Sequence, residues 1–200
     1  MKRLILILLT LISSEISAQS YQESILKHRE HYKNEFLESG SNSPLKKEDL
    51  AFLRFYEPDE SFKVNCTFKK SDNVSPFKMM TSSGKKKEYY KYGVLSFQLQ
   101  GQNVELNVYR SMDLMSIPKY KNYLFIPFKD ATNGKDTYGG GRYLELETTD
   151  IQNDSVILDF NKAYNPYCAF SNGYSCPIPP KENHLAVSIE AGEKTFGKEH

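Results

Sequence analysis

The sequence predicts a mainly β domain, an antiparallel sandwich or partly closed barrel with one or two N-terminal helices, and three observations predict it. From Ser61 onward apolar and polar residues alternate with period two, which puts one face of an extended strand in a core. Turn-forming residues divide that region into roughly seven such stretches, as in folds whose strands are joined by short connections. Helical spacing is confined to the part of the chain before the first of these stretches.

In chain order, Lys2 and Arg3 precede an apolar run over residues 4–12, and small residues follow at Ser17 and Ala18. A charged start, an apolar middle and a small-residue end are the pattern of a secretory signal peptide. The apolar run is too short for a bilayer span, which takes about 20 apolar residues. Residues 1–18 are therefore expected to be an export signal and 19–200 a single β-rich domain, periplasmic or extracellular, with no integral membrane span. No cysteine adjoins Ala18-Gln19, so lipid anchoring there is not expected.

Ser20 and Glu23 form a capping-box pair, and Tyr21, Ile25, Tyr32 and Phe36 recur at helical spacing, which predicts a helix over residues 21–38. Pro44 after Ser43 predicts a second, shorter helix ending near Phe52. Strands are predicted at 63–68, 122–128, 142–147, 156–160 and 186–190. Leu95, Phe97 and Leu99 alternate with polar residues, and after a turn at Gly101-Gln102 the pattern resumes at Val104, Leu106 and Val108, which reads as a β-hairpin. No internal repeat or linker divides the chain.

Removing residues 1–18 takes away Lys2, Arg3 and Glu15, so 26 basic and 25 acidic residues become 24 and 24. A formally neutral domain is not built to hold nucleic acid or an anionic membrane by bulk charge, and no nucleic-acid partner is expected. Lys85-Lys86-Lys87 beside Tyr89, Tyr90 and Tyr92 then reads as a hairpin tip or edge-strand guard. About 180 residues suffice for one core. In an oxidising compartment Cys168 and Cys176 are the natural disulfide pair, and closing so short a loop stabilises by ~2.5 kcal/mol. Cys66, between Val64 and Phe68, reads as a buried thiol.

Two segments are dense in residues that carry chemistry. In the first, Gly139-Gly140-Gly141-Arg142 precedes a strand, whereas phosphate loops follow a strand and open a helix. Two readings stay open: backbone N–H groups and Arg142 gathered around an anion, or a tight bend that only glycine fits, the commoner case. In the second segment, Asp159 and Asn161 share a strand face, Asn165-Pro166 opens a turn, and Glu182-Asn183-His184 precedes the final predicted strand. Arg142, Tyr143, Asp159, Asn161, Tyr164, Asn165, Glu182 and His184 are the candidate ligand-binding residues. Glu182 and His184 have the chemistry of an acid/base pair. A zinc set would need both cysteines, which the disulfide removes, so no metal or cofactor is expected. His28 and His31 lack a matching second motif and read as a solvated helix face. No Gly-x-Ser-x-Gly elbow is present.

Thr137-Tyr138-Gly139-Gly140-Gly141-Arg142-Tyr143-Leu144, Asp159-Phe160-Asn161-Lys162-Ala163-Tyr164-Asn165-Pro166 and Cys176-Pro177-Ile178-Pro179-Pro180-Lys181-Glu182-Asn183 together resemble the bacterial domain of unknown function 1684 family. The resemblance runs from Tyr21 to Glu193. It implies kinship without a mechanism and transfers no catalytic residue.

The reading preferred from sequence is an exported protein without catalysis that binds a small polar or anionic ligand, or a protein partner, near Arg142 and the segment 161–184. The alternative is a hydrolase-type or metal-dependent enzyme using Asp159, Glu182 and His184. A third reading assigns the same residues to folding. The spatial separation of Arg142, Asp159, Glu182 and His184 discriminates among them.

Overall fold

The computed structural model describes residues 2–72 and 75–198, with side chains from residue 19 onward. The side chains of the expected signal peptide, 1–18, lie outside the described residues. Helix α1 spans Lys2–Glu38. The expected second helix is a 3-10 helix, Lys47–Phe52, rather than an α-helix. Among the described residues no helix is long and apolar enough to cross a membrane.

The protein is mainly β. Seven antiparallel strands, β1 (Lys63–Lys70), β2 (Phe77–Met80), β3 (Lys86–Leu99), β4 (Gln102–Ser111), β5 (Tyr123–Phe128), β6 (Arg142–Glu147) and β7 (Ser155–Asp159), form one sheet in the order β6-β5-β4-β3-β1-β7, with β2 also paired to β3. The two ends of that order, β6 and β7, are consecutive in sequence and joined only by residues 148–154. So short a connection reaches roughly 25 Å fully extended, so the sheet must curl to bring its edges together. The result is a curled half-barrel.

The core inside the curl is made by the predicted alternation. Val64, Cys66 and Phe68 of β1, Leu95, Phe97 and Leu99 of β3, Leu106 and Val108 of β4, Leu124 and Ile126 of β5, and Leu158 of β7 are all buried there. Cys66 is a buried free thiol, and burial pushes its pKa up to about 12. The hairpin turn falls at Gln100-Gly101, with Leu99 paired to Gln102, one residue earlier than expected.

The sheet also carries apolar residues on its outer face. Met79, Tyr89, Tyr109, Phe125 and Tyr143 form a second buried cluster there, with Phe77, Tyr123 and Tyr164 packed against it. In β3 the change of face is made by a bulge between Lys91 and Gly93. A Cβ at Gly93 would stand 2.6 Å from the Lys69 carbonyl oxygen and closer still to the Phe68 ring, so the bulge needs glycine. A third cluster, Phe36, Leu45, Leu53, Phe170 and Phe196, fastens α1 to the loops.

Residues 186–190 are not a strand. Val187, Ile189 and Ala191 are buried in alternation as the pattern foretold, yet beyond the backbone bond from Ala131 N to the Val187 carbonyl the segment is held by side chains and forms no ladder. The Arg142 guanidinium donates to the carbonyls of Ile189 at 2.9 Å, Glu193 at 3.2 Å and Ala191, and the Ile189 N–H donates to Asp130 Oδ1 at 3.2 Å. Period two reports burial on an extended chain, and hydrogen-bond partners of any kind satisfy it.

Candidate functional site

Arg142 is fully buried and its contacts are structural. Besides the three carbonyls, Nη2 pairs with Asp130 Oδ2 at 2.9 Å, both side chains wholly buried, and the guanidinium carbon lies 5.4 Å from the Phe128 ring centre. Asp130 Oδ1 in turn accepts from Thr132 N at 2.9 Å and Thr132 Oγ1 at 2.6 Å. An incoming anion has no route to this guanidinium. The glycines before it serve shape: Gly141 has φ +95, and a Cβ there would stand 2.6 Å from the Phe128 carbonyl oxygen and 2.7 Å from Pro179.

The other sequence candidates fall into three places. Asp159 caps the 3-10 turn Phe160–Lys162 by accepting from Asn161 N at 3.0 Å, and receives the Tyr21 hydroxyl of α1 at 3.0 Å. Asn161 is buried and donates to the Asp59 carbonyl at 2.7 Å and to the Tyr21 oxygen at 2.8 Å. Asn165 is buried behind Glu193, giving its N–H to Oε2 at 2.8 Å and its amide to the Lys194 carbonyl at 2.8 Å. Glu182 and His184 are exposed beside Gln102 and Asn103, in a shallow depression of about 230 Å³ on another part of the surface. His184 Nε2 meets the Pro179 carbonyl at 3.1 Å. Arg142, Asp159, Glu182 and His184 therefore do not share one concave site. Among the described residues no group of three His, Cys, Asp or Glu is placed to hold a metal ion.

Tyr143 and Tyr164 lead to a larger feature, which Asp159 and Asn161 also border. The two edge strands, 143–147 of β6 and 155–159 of β7, together with α1 from His28 to Glu38, Ser39 just beyond it, and the loop carrying Tyr164, Tyr167 and Pro177, line a groove of about 1820 Å³. This exceeds the 300–1,000 Å³ that a small ligand usually occupies, so an occupant would fill part of a longer cleft. Cys168 and Cys176 pair at disulfide distance in this loop, their Cα atoms 6.3 Å apart, and Cys176 itself borders the groove.

On the groove floor Glu145 projects from β6 on the face it shares with Tyr143. Its Oε1 accepts from Tyr123 Oη at 2.8 Å and from Tyr164 Oη, while Oε2 has no partner among the described residues. The side chain is open to solvent on one side and hemmed in by protein on the others. That crowding pushes its carboxyl pKa up; the two phenols pull it down, and Glu35 across the groove pushes it up again. The Tyr123 and Tyr164 hydroxyls are held well above their ordinary value, first by burial. Around Glu145 the rings of Phe125 and Tyr143 stand 4.7 Å apart at 74°, and those of Tyr143 and Tyr164 5.8 Å apart at 88°.

The model of the family described as "Protein of unknown function (DUF1684)" matches residues 48–194. The chain belongs to the DUF1684 family. A similar solved structure, obtained by solution NMR for an uncharacterized protein of Haloarcula marismortui, is 32% identical, superposes with a TM-score of 0.67, and covers 90% of this chain and 97% of its own. No curated protein matches the sequence. These DUF1684 likenesses support the fold and the family membership and indicate no function.

Sequence reasoning missed Glu145 and Tyr123. A signal for them existed in β5 of this DUF1684 protein. Tyr123–Phe128 is apolar on both faces, which marks a strand covered on both sides, and Glu145 stands opposite Phe125 on the neighbouring strand.

Proposed function

We propose that this protein is an exported, non-catalytic binder of a small polar ligand, and that its site is the tyrosine-lined groove rather than the surroundings of Arg142. The observation that carries the reading is Glu145: one carboxylate oxygen is fixed by two phenols, and the other faces the groove without a partner. An acceptor held in place by its neighbours, surrounded by aromatic surface, is what orients a small ligand in a mostly apolar cleft. The occupant is a hydrogen-bond donor, which departs from the anion expected beside Arg142. Export is supported by the signal-peptide pattern of residues 1–18 and by the Cys168–Cys176 pair. The enzyme reading needs Asp159, Glu182 and His184 to meet, and they stand in separate places.

The test is a thermal-shift screen of small polyols, sugars and amines. A ligand at about 100 times its Kd stabilises by about 2.7 kcal/mol. The expected result is a hit whose effect Glu145→Gln or Tyr164→Phe removes. Hits indifferent to both substitutions place the binding elsewhere.

A further inference from the structure

We infer that the groove's ligand is a short extended peptide, held by its main chain as one more strand between β6 and β7; the inference rests on the groove being the binding site and names the class of its occupant. The N–H and C=O of one strand residue point to the same side and those of the next residue to the other, so one known pair fixes every second residue. On β6 both backbone groups of Tyr143 bond to Tyr164, away from β5, so those of Glu145, two residues on, also point away from β5. On β7 both groups of Ser155 bond to Gln152, away from β1, so those of Ile157 also point away from β1. Among the described residues no partner meets the backbone N–H or C=O of Glu145 or Ile157 on that side. Both residues are exposed, Ile157 to 53%, and both line the groove.

The two open positions correspond. Glu145 lies two residues before the end of β6 and Ile157 two residues after the start of β7. The chain itself closes the β6 edge on either side of Glu145: Tyr164 lies where a strand would beside Tyr143, and Asp150 Oδ2 takes the Glu147 N–H at 2.7 Å. Each strand in the order β6-β5-β4-β3-β1-β7 is antiparallel to the next, so the two edges run in opposite directions. A peptide between them is antiparallel to one edge and parallel to the other. Run antiparallel to β6, as Tyr164 already is, its middle residue exchanges both bonds with Glu145. Its first and third residues then serve the N–H and C=O of Ile157, because a parallel partner is bonded by the residues on either side. Three residues thus satisfy both edges. Sugars and polyols lack this alternation of donor and acceptor on opposite sides, and open sheet edges are where extended peptides add. The lining mixes signs, with Lys63, Lys119 and Lys162 beside Glu35, Glu145 and Glu147, so net charge selects no ion and the main chain is the feature left to read.

The experiment titrates the full chain with acetyl-Ala-Thr-Ala-amide and with the same peptide N-methylated at its threonine, and follows the backbone amides by NMR. The unmodified peptide is expected to move the Glu145 and Ile157 amide signals downfield and to slow their exchange with solvent. N-methylation is expected to weaken binding at least about tenfold, because it deletes one main-chain donor and leaves its acceptor unpaired. Ile157→Pro removes an N–H that the ladder to β1 does not use, so the edge tolerates it, and it is expected to weaken the unmodified peptide while the urea midpoint stays near wild type. Should that variant not fold, the two peptides compared on the wild-type protein still decide. Equal affinities for the two peptides, or binding that leaves both amides unmoved, overturn the inference. A polyol, sugar or amine that binds in the groove where the peptide does not also overturns it, and leaves the groove standing as a site for another ligand. Slow exchange of both amides without peptide, growing with protein concentration, gives the edges to a second copy of this chain and overturns it too. Silence from every probe removes the groove reading as well.

Discussion

Arg142 and Glu193 are two buried ionisable residues with opposite consequences. Arg142 neutralises Asp130 and fills three backbone acceptors, so Arg142→Ala leaves a buried carboxylate and several carbonyls unsatisfied at once. The expected loss is about 3–5 kcal/mol in a urea titration, with ligand binding lost only through unfolding. Glu193 is fully buried, with Oε2 accepting from Tyr32 Oη at 2.9 Å and Asn165 N at 2.8 Å, while Oε1 has no partner. Burial raises its pKa to about 7, against the smaller opposing pull of those hydrogen bonds. A carboxyl with a higher pKa folded than unfolded binds its proton more tightly in the folded state. Its contribution is therefore complete below the ordinary carboxylate range and is lost as pH rises through about 7. Urea midpoints measured from pH 4 to 8 are expected to show this decline, on the order of 1–3 kcal/mol, and Glu193→Gln is expected to flatten it. A wild-type profile as flat as the variant's would remove Glu193 as the cause.

Among elements, the loop from Tyr164 to Pro177 does most to shape the groove. It adds to the β6 edge through the reciprocal Tyr143–Tyr164 backbone bonds of 2.9 and 3.0 Å, and meets the chain just after β2 where Ser82 N donates to the Cys176 carbonyl at 2.9 Å. The Cys168–Cys176 pair closes its middle. Replacing both cysteines by serine is expected to cost ~2.5 kcal/mol and to speed amide exchange in this loop before it does so in the sheet. The cysteine pair was legible from its spacing and from the expected compartment. The groove it borders was not, because its lining comes from α1, β5, β6 and β7, and no local pattern records that Tyr123, Glu145 and Tyr164 converge. Arg142 misled for a related reason: glycines before an arginine look the same in sequence whether they surround an anion or make room for a buried side chain.

At the scale of the molecule, the β class, the hairpin and most core residues followed from alternation, since Val64, Cys66, Phe68, Leu95, Phe97 and Leu99 repeat one rule. The closure of the sheet did not, because it depends on which strands pair, and β6 and β7 pair with β5 and β1 rather than with each other. The segment at 186–190 was right in burial and wrong in kind, most of a ladder's bonds being replaced by side chains, Arg142 and Asp130 foremost. That replacement bears on the order in which the molecule can be assembled. A ribosome delivers Arg142 well before residues 187–193, so the guanidinium lacks three of its acceptors until those residues have emerged. Completion of the interior therefore waits for residues 187–193, whose carbonyls take up the Arg142 guanidinium.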